Sequence, residues 1–260
     1  MPSYTRKIKC KLPNKPLKLG VMATFKNEAM GIREWIEHYL WQGVSEFLLI
    51  NNGSTDNWQD KITGLEQFLT IKSIPKRHAQ VENYNKFGPA WFKEKKIDAV
   101  IIIDLDEYIF CKNNKNIIDN LADIFLKPNH PSEIRINWTM FGSNGYRKQP
   151  DSIRKSFTIR KRNLDKNIKA IVWTKDIKPG GIHVHYHSLR GKTIKRPSIF
   201  QLNHYAIQSK EFFTNVKMTR GSANTKKHEN VRDWKYFKKY DYKDKHDEKL
   251  KSLVENSNFF

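Results

Sequence analysis

Three carboxylates fall within four residues at Asp104, Asp106 and Glu107, directly after the apolar, β-branched run 99–103. Such a run reads as a buried strand. Clustered carboxylates at its end are costly unless a cation is near, because like charges repel and lose their solvation. Side chains alternate along an extended chain, so Asp104 and Asp106 point to one side. Two carboxylates on one side at the carboxyl end of a strand make a half-site for Mg2+ or Mn2+. Both ions take oxygen ligands and keep coordination positions for water and phosphate. The plain alternative is a solvated strand end.

His183, His185 and His187 alternate, so an extended segment would present all three on one side. A zinc site would still need a fourth ligand and tetrahedral geometry. One of these three histidines, or His204, is the candidate to complete a shell begun by Asp104 and Asp106, and imidazole with carboxylate suits Mn2+ better than Ca2+. Lys26, Lys217 and Arg220 are candidate cations for a diphosphate, the last two lying three residues apart on one helical face. Thr24, Asn27 and Glu28 follow one buried strand, and Asn51 and Asp56 follow another. Each could line a nucleotide pocket or merely cap a helix. No Walker loop, Gly-x-Gly-x-x-Gly turn or Gly-x-Ser-x-Gly elbow is present.

These residues need a frame. Strands are expected at 19–23, 46–50, 68–74 and 99–103, with helices between them at about 32–40 and 85–96. That βαβ rhythm predicts an α/β fold with an open, mostly parallel sheet, and ligands bind such sheets at the carboxyl ends of the strands. Three of those ends carry polar clusters: 24–28, 51–56 and 104–107. Further on, a helix is expected at 116–126, strands at 133–138, 157–159 and 170–173, and a helix at 209–224 with Phe212, Phe213 and Val216 inward. Residues 1–17 read as a basic arm, 18–225 as the main domain, and 226–260 as a basic extension packed on or beside it.

The chain has 260 residues and a net charge of +21. The charge is uneven: residues 1–150 carry 22 Lys and Arg against 16 Asp and Glu, and residues 151–260 carry 26 against 11. A basic second half points to anionic partners or an anionic membrane surface, against the plain reading of a solvated lysine-rich surface. Cys10 and Cys111 form no disulfide framework, so a reducing, cytoplasmic setting is the default. No apolar run approaches the ~20 residues that span a bilayer, which leaves peripheral attachment as the membrane contact to expect.

Taken in order, the motifs resemble a family. Thr24-Phe25-Lys26-Asn27-Glu28, Glu34-Trp35, His38-Tyr39, Gly43-Val44 and Asn51 through Asp56 look like the first half of a GT-A glycosyltransferase. More narrowly, they resemble family 92 (DUF23-like) and related family 2-like transferases. Asp104-Leu105-Asp106-Glu107-Tyr108 is similar to their Asp-x-Asp-Glu-aromatic motif. Asn137 to Ser143, Lys169 to Val172, Asn203-His204-Tyr205, Ser209 to Phe212, Lys217 and Arg220-Gly221 are similar to the blocks that follow, so the resemblance covers about residues 18–225.

The resemblance implies a GT-A sheet with a smaller antiparallel C-terminal portion. It implies a UDP-sugar donor, Mn2+ or Mg2+ at the Asp-x-Asp, and transfer of a sugar to a hydroxyl of a carbohydrate, glycoconjugate or lipid-linked acceptor. Asp104 would be shared between metal and ribose, Asp106 would ligate the metal, and His204 or His185 would assist. Lys217 and Arg220 would neutralise the diphosphate, and Glu28 and Asn51 would line the nucleotide pocket. Inversion requires a carboxylate base, for which Glu107, Asp151 and Asp176 are open candidates. Two rivals stand beside this reading. A nucleic-acid-binding protein would explain the pI near 9.8 but not the carboxylates, and nucleic acid is the weaker partner. A metal-dependent hydrolase would use the histidines and bind zinc tightly.

Overall fold

The computed structural model describes residues 16–224, 226 and 231–259. Nearly all of the arm 1–17, with Cys10, therefore lies outside the described residues. Strand β1 (Leu19–Phe25) is almost continuously apolar and almost continuously buried, as a strand covered on both faces must be. It pairs in parallel with β2 (Val44–Asn51) on one side and β4 (Ala99–Ile102) on the other, and β2 pairs in parallel with β3 (Leu69–Ser73). The expected rhythm holds through this half. Helix α1 (Ile32–Trp41) buries Ile32, Trp35, Ile36 and Tyr39 at helical spacing, then stops before Gly43, whose φ of +85° suits glycine. The short α2 (Trp58–Lys61) follows β2. Helix α3 (Gln80–Lys95) starts five residues earlier than apolar periodicity suggests, because its first turn is polar.

The second half curls the sheet. β5 (Glu107–Cys111) is a strand separate from the run before it, which the apolar pattern does not predict. It leaves β4 at the Asp104–Glu107 turn and pairs antiparallel with β10 (Phe200–His204). After α4 (Ile117–Phe125), β6 (Glu133–Met140) pairs antiparallel with β8 (Ile168–Trp173), which closes onto β4. The other edge of β6 is shared: its first part pairs with β9 (Thr193–Lys195) and its last part with β10, both in parallel. Most pairings are parallel, as the α/β expectation required. Between these strands lie α5 (Ile153–Ser156) and β7 (Ile159–Arg160), so the strand expected at 157–159 begins only at its last residue.

Two further expectations are corrected. Residues 181–188 form no strand; His183 is exposed, His185 half-buried and His187 buried, so the three imidazoles do not share a face. The helix expected at 209–224 is α6 (Lys210–Phe212) plus a π-helical turn over Phe213–Lys217, and it goes no further than the turn residues after Lys217. Phe212, Phe213 and Val216 do point inward. Near the end, α7 (Trp234–Tyr240) buries Phe237, and β11 (Lys245–His246) pairs with β7 as a small antiparallel sheet. α8 (Lys249–Glu255) places Leu250 and Val254 in the same apolar cluster as β1. Among the described residues, no helix is long and apolar enough to cross a membrane.

Candidate active site

The Asp104–Glu107 turn is held from below by α1. Trp35 Nε1 donates to the backbone oxygens of Asp104 (3.2 Å) and Glu107 (3.1 Å), and Tyr39 Oη donates to the latter at 3.1 Å. The amphipathic helix thus adds side-chain donors to two carbonyls of the turn, of which the Asp104 oxygen also accepts the Glu107 amide at 3.1 Å. Glu107 is fully buried, and its Oε2 accepts the Asp104 amide at 2.9 Å. Burial raises the Glu107 carboxyl to about 7, against the lowering effect of Lys169. Glu107 therefore points into the protein and shapes the turn.

Asp104 and Asp106 point instead into a cavity of about 390 Å3 at the carboxyl ends of β1 and β4. Each carboxylate meets a lysine. Lys169, on β8 and 1% exposed, donates to Asp104 Oδ2 at 2.8 Å and lies 3.5 Å from Glu107. Lys217, at the end of the π-helical turn, bonds to Asp106 Oδ2. Burial, the largest single influence, would raise both aspartates, but the combined pull of the neighbouring cations, Lys169 foremost at Asp104 and Lys217 then His204 at Asp106, holds both below the ordinary value. Burial draws the Lys217 ammonium down, against the pull of Asp106. Gln80, on the first turn of α3, reaches Asp104 Oδ1 at 3.3 Å.

Thr24, Lys26 and Glu28 line the same cavity. Arg220 clamps their loop, donating to the backbone oxygen of Lys26 at 2.8 Å and to the Glu28 carboxylate. Burial raises Glu28 more than Arg220 lowers it. Arg220 lines the cavity while holding the protein's own loop. Asn27, with φ +54°, turns away: its amide donates to Ser54 Oγ at 3.0 Å and its Oδ1 accepts the Thr55 amide at 2.8 Å. Asn51 Oδ1 accepts the Ser54 amide, and Asp56 accepts the Ala29 amide at 2.7 Å. These three residues lace the loops after β1 and β2 together behind the cavity. Asn27, Asp56 and Asp151 belong to the wall of a neighbouring cavity of about 970 Å3. Asp176 lies at the opposite end of the strands, accepting from Ser132 Oγ at 2.5 Å.

A metal has two protein donors of the right kind here. His204 Nε2 lies 3.5 Å from Asp106 Oδ2, and its Nδ1 is buried without a hydrogen bond. His185 lines the cavity but its Nδ1 bonds to the Ile168 oxygen at 2.8 Å. No group of three or more His, Cys, Asp or Glu that could hold a metal occurs among the described residues. The set fits Mg2+ or Mn2+ completed by phosphate oxygens and water, and does not fit a zinc ion caged by protein alone.

Several lining or supporting groups stand outside the candidate site residues that the sequence pattern offers. Lys169 carried a signal, since a lysine inside the apolar strand Ile168-Lys169-Ala170-Ile171-Val172 must be paired when buried. Arg232, Tyr236 and Tyr240 carried none that could be read locally. They recur four residues apart in the basic extension, and only the fold brings that face of α7 to the cavity wall.

A curled, mostly parallel sheet with an acidic strand end, facing cations across a crevice, defines a class of α/β protein built to bind a phosphate-bearing ligand and a cation. The chain itself belongs to glycosyltransferase family 92, whose family model matches residues 21–255. A glycosyltransferase family 92 protein of Oryza sativa subsp. japonica is 25% identical over 211 residues, which cover 74% of this chain and 34% of the rice protein. The chain spans about a third of the length of the curated relatives it matches. Among solved structures, a TarS fragment from S. aureus in complex with UDP aligns with TM-score 0.39 at 20% identity, covering 61% of this chain and 47% of that one. A glucosyl-3-phosphoglycerate synthase from Mycobacterium tuberculosis in complex with Mn2+ and UDP-glucose aligns with TM-score 0.31 at 16% identity, covering 47% and 44%.

Proposed function

We propose that this chain transfers a sugar from a UDP-sugar to a hydroxyl of a carbohydrate or glycoconjugate acceptor, with inversion and with Mn2+ or Mg2+ at the site. The observation that carries this reading is the placement of Asp104 and Asp106 at one strand end, opposite Lys217, in the cavity lined by Lys26 and Arg220. Family membership supplies the reaction class. Asp106 and His204 hold the cation in this reading, and Asp104, anchored by Lys169, is left to face the ribose. A bound divalent cation would act as a Lewis acid toward the leaving diphosphate. Lys217 and Lys26 add fixed positive charge where negative charge develops.

Asp106 and Asp104 are committed to the cation and the ribose in this reading, which leaves Glu28, among the described carboxylates that line the cavity, and Asp151 in the adjoining one as candidates for the base. Glu107 and Asp176 line neither. Calorimetric titration with UDP, with and without Mn2+, tests the reading. Mn2+-dependent binding is expected, and Asp106→Ala should abolish Mn2+-dependent turnover of a UDP-sugar panel while the circular dichroism spectrum stays unchanged. Retained turnover in that variant would remove the metal assignment.

A further inference from the structure

We infer that the chain carries a second, anion-recognising site that takes a sulfated or phosphorylated oligosaccharide. It is a separate cavity of about 390 Å3 and shares no lining residue with the cavity around Asp106. Strand β6 separates the two. Trp138 and Met140 line one cavity while Arg135, Asn137 and Thr139, on the alternate face, line the other, which Ile136 also borders. The concavity has a structural cause. β9 stops pairing with β6 at Arg135, and β10 begins at Trp138, so the edge of β6 is uncovered between them.

Charge is what marks this cavity. Its lining holds seven Lys and Arg residues and no Asp or Glu. Two buried carboxylates behind it fix part of that set. Glu133 holds Arg135 at 2.7 Å; Asp247 holds Arg160 at 2.7 Å and Lys249 at 3.3 Å. Arg162, Lys195 and Arg196 stand on the remaining wall, and Asp244 meets Arg162 only at its backbone amide. Two buried carboxylates thus face seven cations. A concave surface focuses such a field and draws anions, and guanidinium forks suit the paired oxygens of sulfate or phosphate esters.

The lining also selects among anionic ligands. Its aromatic residue, Phe200, is 2% exposed, so no ring is offered for a base to stack on. Asn137 and Gln201 present amide oxygens that can accept from sugar hydroxyls, their NH2 groups being bonded to the Asp165 backbone oxygen and to Asn203 and Asp247 respectively.

The test is calorimetric titration of the full chain with a heparin-derived hexasaccharide at low salt. Two charge-matched double variants are compared: Arg162→Glu with Lys195→Glu in the cavity, and Lys72→Glu with Lys93→Glu on exposed positions elsewhere. The cavity pair should weaken binding at least tenfold and the distant pair less than twofold. UDP binding with Mn2+ should be unchanged in the cavity pair, which also reports that the variant is folded. Equal losses in both pairs would show net charge alone and overturn the site. No binding by the wild-type chain overturns it as well. If a twelve-residue oligothymidylate or phosphatidylserine vesicles bind more tightly and lose as much in the cavity pair, the ligand class is wrong. Failure of UDP to bind the wild-type chain would count against the donor reading and leave this one standing.

Discussion

Lys169 decides how the acidic strand end is tolerated. It is 1% exposed and sits within reach of the partly exposed Asp104 and the buried Glu107, so its ammonium is desolvated only because those carboxylates are present. Lys169→Met should cost about 3 kcal/mol, since removing one partner of a buried pair strands the other. Urea denaturation measures it, and adding Asp104→Asn should recover part of the loss; simple additivity would show that the pair is not coupled. His38 makes a second residue-scale prediction. It is fully buried, with Nε2 2.8 Å from the Ile109 oxygen, and burial holds its pKa well below the ordinary value. A depressed folded pKa means that stability is present above the unfolded pKa of about 6.5 and is lost as pH falls below it. Wild type should lose up to about 1.4 kcal/mol per pH unit there relative to His38→Gln. Parallel stability curves from pH 7.5 to 5 would contradict this.

At the scale of elements, what could be read depended on whether a partner was local. β1, β2, β4 and α1 carry their own period and were legible. The strand-end carboxylates were legible too, because their chemistry is anomalous without any partner. β5 was not, since its pairing partner β10 lies some ninety residues on. The alternating histidines show the reverse error, a strand-like period with no neighbouring strand to stabilise it. α7 could be placed only by tertiary contacts. Asp241, after its last residue, accepts from the Ser143 amide at 2.8 Å and from Ser143 Oγ at 2.7 Å. Gly142 allows this approach, because a Cβ there would lie 2.3 Å from the Tyr242 oxygen. Asp241 therefore pins the Tyr236 and Tyr240 face to the cavity wall. Asp241→Ala should speed amide hydrogen exchange across 234–240 at least tenfold while β1 and β4 stay protected. Uniform acceleration would mean global rather than local loosening.

For the whole molecule, the +21 charge has two separable consequences. A summed field steers anions toward the protein at any point of the basic surface, whereas capture depends on a few groups in one cavity. In the cavity around Asp106 each lining carboxylate meets its own cation, Asp106 with Lys217, Glu28 with Arg220 and Asp104 with Lys169, while Lys26, Arg77 and Arg232 add positive charge to the lining. Affinity for a nucleoside diphosphate should then rest on contacts within the cavity, and the rate of arrival on the surrounding field. Stopped-flow binding of UDP in the presence of Mn2+ separates the two. Raising ionic strength from about 0.01 M to 1 M shortens the screening length from about 30 Å to 3 Å, so the association rate should fall roughly tenfold or more. Dissociation should change much less, because the groups that hold the ligand are shielded from salt by their burial. A salt effect confined to dissociation would mean that exposed lysines, rather than the buried cluster around Asp106, retain the ligand.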